Sequence, residues 1–263
     1  MAAALAALLA FVFSLPTGAA TRGPAPQTTT VTVSAAISLK DALDQIGPVY
    51  EREHRGVKIV FNYGGSGTLQ RQIEQGAPVD VFFSASEKQM NALEAEGLLL
   101  AGTRGNVLEN SLVLIAPAGE TGIRDFADLE MRSVQAIALG EPSTVPAGLY
   151  ARQTLEHLGL FGRVQKKIVF AKDVRAVLTY VETGNADAGF VYLTDAETSS
   201  KVRIVARAPA NSHDPIVYPA AVVKGSRNPE AARAFLAFLE GEEARAVFAK
   251  YGFLAAEIPA AKN

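Results

Sequence analysis

The sequence of 263 residues has no cysteine, only three histidines and no surplus of either charge. Without cysteine there is no disulfide framework, no thiolate nucleophile or metal ligand, and no lipid attached through an N-terminal cysteine. His54, His157 and His213 form no His-x-x-x-His or His-Glu pair, so the ligand spacing of a zinc site is missing. A net charge of -2, from 25 basic and 27 acidic residues, leaves no electrostatic footprint for nucleic acid. Long apolar runs are also missing after the first residues, because each later one is broken by charge or glycine within about ten positions. Folding must therefore rest on core burial, which a hydrophobic content of 49% permits.

The first residues, Met1 to Leu15, carry no charged side chain, and the chain then passes through Pro16 to Gly18, Ala19 and Ala20. This reads as an export signal over 1–20, although no Lys or Arg precedes the apolar run. Pro16 and Gly18 break the run early for a membrane span, and the missing positive charge leaves a retained N-terminal anchor as the alternative to cleavage. The Pro/Thr-rich stretch 21–30 reads as a linker without packing of its own. About 240 residues remain, enough for two lobes or one large domain.

From Val31 onward, strand and helix patterns alternate. Val31-Thr-Val-Ser reads as a strand, followed by helical spacing of Leu39, Ala42, Leu43, Ile46 and Tyr50. Val57 to Phe61 is the next strand, with a helix starting at Thr68. Val79 to Ser86 repeats the pattern, and Ser86 with Gln89 has capping-box spacing. Strands follow at Ser111 to Pro117, Ala136 to Leu139, Lys167 to Phe170, Ala188 to Tyr192, Val202 to Ala206 and Ile216 to Val223. Helices are expected at Pro146 to Leu158 and Val174 to Glu182, with Gly159 and Gly184 as stops, then at Pro229 to Leu239 and Glu242 to Tyr251. Such alternation argues for an α/β fold with parallel sheets and right-handed crossovers, and leaves open whether there is one domain or two.

Five short segments at helix starts or strand ends are the candidates for chemistry: Ala35 to Ser38, Gly64 to Thr68, Val145 to Gly148, Asp173 to Arg175 and Gly189 to Tyr192. Four of them have a plain explanation. Ser38 with Asp41 fits a helix cap, Gly64 to Gly67 a tight connection, Pro146 a favoured first-turn proline and Asp173 an N-cap. Together they mean more, because helix starts leave N–H groups unpaired and carry partial positive charge. Several such starts around one cleft make an anion site with no Lys or Arg.

These segments, with Gly64-Gly-Ser-Gly-Thr-Leu-Gln-Arg-Gln-Ile-Glu, Gly140-Glu-Pro-Ser-Thr-Val-Pro-Ala-Gly, Asp173-Val-Arg and the ending Tyr251-Gly-Phe, resemble the periplasmic molybdate-binding proteins of ABC importers. The likeness runs from Val31 to Phe253. It implies a type II periplasmic binding protein, two α/β lobes joined by two crossing strands with the ligand cleft between them. The lobes would be 31–109 with 219–263, and 110–218, with crossings near Glu109 to Ser111 and His213 to Tyr218. It further implies that Ser38 and Ser66 donate to the oxyanion from hydroxyl and backbone N–H, Ala147 and Val174 from backbone N–H, and Tyr192 from its hydroxyl. The bound species would be molybdate or tungstate, held through its oxygens, with no cofactor, and a monomer would deliver it to a membrane permease. Two positions depart from the family pattern. Gly64-Gly65 and Gly67 stand where serines are common, and Ile37 where alanine is common.

A shell of donors suits a fully deprotonated dianion, whereas hydrogen phosphate carries a proton that needs an acceptor. Hydroxyl rotors weaken that distinction, since they can accept as well as donate. Sulfate meets the same charge rule and is the alternative ligand. The competing class is a serine hydrolase using Ser66, but Gly64-Gly-Ser-Gly-Thr has Thr68 where a nucleophile elbow needs glycine.

Overall fold

The computed structural model describes residues 28–256, so the export signal read over 1–20 lies outside the described residues. Eleven strands are described: β1 (Thr29–Ala36), β2 (Val57–Gly64), β3 (Val81–Phe83), β4 (Gly105–Glu109), β5 (Leu112–Pro117), β6 (Ile137–Gly140), β7 (Ile168–Ala171), β8 (Ala188–Tyr192), β9 (Val202–Arg207), β10 (Val217–Val222) and β11 (Leu254–Ala255). The helices are α1 (Lys40–Glu53), α2 (Ser66–Glu74), α3 (Glu87–Ala95), α4 (Pro146–His157), α5 (Phe161–Val164), α6 (Val174–Glu182), α7 (Leu193–Ala196), α8 (Pro229–Leu239) and α9 (Glu242–Lys250).

Two sheets organise two lobes. The first has the order β11-β4-β10-β3-β1-β2 and the second β7-β6-β8-β5-β9. β1 sits between β3 and β2, parallel to both, with Val31, Val33 and Ala35 fully buried. Leu43, Ile46 and Tyr50 of α1 are fully buried in the same core, at the one-face spacing that made this helix readable. In the second lobe β6 is parallel to β7 and β8, and Val177 and Val181 of α6 lie against Gly189 of β8.

The sheets are mixed rather than parallel, which corrects the expectation from alternation. β10 runs antiparallel to β3 and β4, and β5 antiparallel to β8 and β9. Parallel neighbours need a crossover, usually a helix. Only Asn110 and Ser111 separate β4 from β5, and no α-helix lies between β9 and β10. At both places the chain passes from one sheet to the other.

Other differences are local. β1 begins at Thr29, which pairs with Val57 while Thr30 pairs with Lys58, so the end of the stretch read as a linker is strand. α2 starts at Ser66, two residues before the position expected from its apolar spacing. Ser86 caps α3 by accepting from Lys88 N, but Gln89 does not complete the box: its Oε1 is buried without a partner. α6 and α8 match their expected spans, and Gly159 and Gly184 close α4 and α6 with φ of +68° and +71°.

Candidate functional site

In open α/β sheets the crevice for ligands lies beyond the carboxyl ends of the strands. Each of the five candidate residues follows or ends such a strand. Ser38 comes two residues after β1, and Ser66 two after β2. Ala147 belongs to the helix after β6, Val174 opens the helix after β7, and Tyr192 is the last residue of β8. The fold brings all five together: Ser38, Ser66, Ala147, Val174 and Tyr192 line one small cavity. The rest of the lining is small or apolar, with no Asp, Glu, Lys or Arg.

Three helix starts meet there. Ser66 and Val174 are the first residues of α2 and α6, and Ala147 the second of α4. Their N–H groups precede the first intrahelical bond and carry the positive end of the helix dipole. Pro146 takes the first position of α4, where its missing N–H costs nothing. Asp173 caps α6 by accepting from Ala176 N at 2.8 Å, so its carboxylate is turned to the helix.

Ser38 does not cap α1. It lies within a 3-10 turn, Ile37–Leu39, and Leu39 is the residue before the helix. Its Oγ stands 3.1 Å from the Tyr218 hydroxyl, a buried contact across 180 positions that no local pattern announces. Ser66 Oγ accepts from Ala85 N at 3.0 Å. Tyr192 is 1% exposed, and its hydroxyl has no hydrogen-bond partner among the described residues. Burial pushes the Tyr192 phenol well above its usual range, so it remains a donor at neutral pH. Leaving such a donor unmatched costs about 1–3 kcal/mol.

The lobes touch at the mouth of the cavity. Gly67 N donates to Thr144 O of the opposite lobe at 2.9 Å. A Cβ on Gly67 would stand 2.7 Å from Thr144 Cα, so a serine in its place could not reach this closed arrangement without moving backbone. The glycine that departs from the family's serine run thus allows close apposition. Arg175 Nη2 also crosses the cleft, to Asp41 Oδ2 at 2.6 Å, from the third residue of the Asp-Val-Arg triplet. That role has no signal in the sequence beyond the triplet itself.

The arrangement can hold a small anion by N–H and O–H groups alone. It does not equip Ser66 as a nucleophile, since no histidine lines the cavity. His54 stacks on Tyr50 with ring centroids 3.9 Å apart, and His213 lies 5.7 Å from the Tyr150 ring. Among the described residues no group of three His, Asp or Glu side chains could hold a metal ion.

Comparison with known proteins places the chain in a family. The family model described as bacterial extracellular solute-binding protein matches residues 31–254. A putative ABC transporter substrate-binding lipoprotein of Bacillus subtilis is 46% identical over 227 residues, covering 86% of each chain. The molybdate-binding protein ModA of Haemophilus influenzae is 42% identical over 229 residues, covering 86% of this chain and 90% of its own. The solved substrate-binding domain of a putative molybdenum ABC transporter from Clostridium difficile superposes with a TM-score of 0.68 at 43% identity, over 88% of this chain and all of that one. These relatives are binding proteins rather than enzymes, and with two mixed sheets flanking a donor-lined cleft, the chain belongs to the bacterial extracellular solute-binding proteins.

Proposed function

We propose that this protein is the substrate-binding component of an ABC importer, capturing molybdate, and tungstate with it, for delivery to a membrane permease. The observation that carries the reading is the cavity itself: five lining residues able to supply N–H and O–H donors, with no carboxylate among the lining. The relatives named for molybdate support the choice of ion. Ser38 and Ser66 donate from the first lobe and Ala147, Val174 and Tyr192 from the second, so the anion itself bridges the lobes. The first lobe comprises 31–109 with 219–263 and the second 110–218, and the chain works as an exported monomer whose signal occupies 1–20. Each charge-assisted bond contributes about 1.5–3 kcal/mol, offset by dehydration of the dianion and by ordering of the lobes.

Isothermal titration of the purified protein with molybdate, tungstate, sulfate and phosphate tests this. Binding of molybdate and tungstate at micromolar concentration or below is expected, with phosphate rejected. A preference for sulfate would keep the fold and reassign the cargo, while silence with all four would end the oxyanion reading.

Tyr192→Phe has an expected effect of opposite sign on stability and binding. Without ligand, the variant no longer buries an unmatched hydroxyl, so its melting temperature stays equal or rises. Molybdate affinity falls by about 10- to 100-fold, because a hydrogen bond to a charged group is lost. Titration and thermal melts of the same preparation check both, and unchanged affinity would put Tyr192 outside the contacts to the ion.

A further inference from the structure

We infer that Tyr218 and Asn110 are positioning residues that fix the direction of the Ser38 hydroxyl, making it a donor toward the cavity. The inference rests on the oxyanion-binding reading above and explains how a serine, able to donate or accept, is held to one role.

The argument follows the protons. Asn110 Oδ1 accepts from Ser111 N at 2.8 Å, which orients the amide. Its NH2 group then donates to Thr194 Oγ1 at 2.9 Å and to the Tyr218 hydroxyl at 3.2 Å. An amide nitrogen cannot accept, so the Tyr218 oxygen is the acceptor of that bond. The Tyr218 proton is left with Ser38 Oγ, 3.1 Å away, as its partner. Ser38, accepting from Tyr218, must send its own proton elsewhere, and Ser38 lines the cavity. Tyr218 is fully buried, and its phenol is pushed well above its usual range by burial, so it stays protonated and the chain of bonds does not reverse at neutral pH.

Ser66 reaches the same state by a simpler route, because its Oγ accepts from a backbone N–H that can only donate. Each serine therefore has one lone pair occupied and its proton left for the cavity, which narrows the freedom of the hydroxyl rotors to accept. A ligand carrying its own proton finds fewer acceptors than two unconstrained hydroxyls would offer. Asn110 lies between β4 and β5, and Tyr218 within β10, at or beside the two passages between the sheets. The Asn110 bond to Thr194 reaches α7 of the second lobe. The donor direction of Ser38 is thus set from the passages that join the lobes, by residues that do not line the cavity.

A double-mutant cycle tests this, with Tyr218→Phe, Ser38→Ala and the double variant titrated with molybdate and with phosphate, and folding checked by thermal melt. Tyr218→Phe is expected to lower molybdate affinity about tenfold while phosphate binding holds or strengthens, so the molybdate-to-phosphate ratio narrows. In the Ser38→Ala background the same change should have no further effect on the ratio. Equal weakening of both ions, or the same loss with and without the Ser38 hydroxyl, would overturn the inference and leave Tyr218 a packing residue. Should Tyr218→Phe fail to fold, Asn110→Ala enters the same cycle with the same expected sign. Wild-type protein that fails to bind molybdate would refute the oxyanion reading itself, a result separate from any variant.

Discussion

Arg175→Met is expected to cost about 3–5 kcal/mol of stability at pH 8, as breaking one side of a buried ion pair does. Asp195 is fully buried in the short helix α7, and Arg175 Nε lies 2.6 Å from its Oδ1. The pair is out of line for a hydrogen bond, and both carboxylate oxygens have no other partner among the described residues, so the charge of Arg175 is what compensates them. Burial raises the Asp195 carboxyl to about 6, with Arg175 pulling the other way. The unfolded value is near 3.9, so between the two the folded protein holds the extra proton. Stability from this group is therefore greatest below about pH 4, falls as pH rises toward 6, and is flat above. Without Arg175 the carboxyl moves higher still, and the fall continues past pH 6. The deficit of the variant should thus be small at pH 5 and larger at pH 8. Urea melts at both values measure it, and an equal shift in midpoint at the two would remove Asp195 from the explanation.

The bond from Arg175 to Asp41 has a different weight. Asp41 has a side-chain exposure of 38%, and a pair so open to water contributes less than about 1 kcal/mol. It links the lobes without dominating either. Closure then rests on what the cavity does for an anion, together with the backbone bond from Gly67 to Thr144.

How much of this was legible follows the range of the signals. Helix starts are local: Pro146, Asp173 and the spacing of Val174, Val177, Leu178 and Val181 stand within a few residues of what they specify. The turns that supply the site could be read for the same reason. β4, with one glycine and one asparagine among five residues, has no apolar run to mark it, and its strand character comes from β10 and β11 on either side. The mixed direction of the sheets was hidden because alternation records order along the chain, not the sense in which a strand enters its sheet. Ser38 was legible as a polar residue at a helix approach, but not as the partner of Tyr218. The contacts Ser38 to Tyr218, Asn110 to Thr194 and Arg175 to Asp41 span 180, 84 and 134 positions, and each exists only after the sheets have formed.

Gly148→Ala is expected to destabilise by about 3 kcal/mol, although helix propensity alone favours alanine by about 1 kcal/mol. Packing decides the sign. A Cβ at Gly148 would lie 1.9 Å from Gly140 O and 2.5 Å from Gly140 C, at the end of β6. Those atoms are strand backbone, with Gly140 paired to Ala171 of β7, and cannot turn aside as a flexible side chain would. The helix α4 must move instead, and Ala147, one residue earlier, moves with it. Ala147 lines the cavity, so under the proposed function its donor shifts with the helix, and molecules that remain folded should bind more weakly as well. Gly162→Ala serves as the contrast, since a Cβ there meets nothing within 4 Å and the propensity gain is unopposed. Urea denaturation and molybdate titration of both variants separate the effects. Wild-type stability in Gly148→Ala would mean that α4 does not rest on β6 through this contact. Wild-type affinity in a destabilised Gly148→Ala would mean that Ala147 is held in place by something other than the fit of glycine against strand, and that the start of α4 is not what aligns the donor.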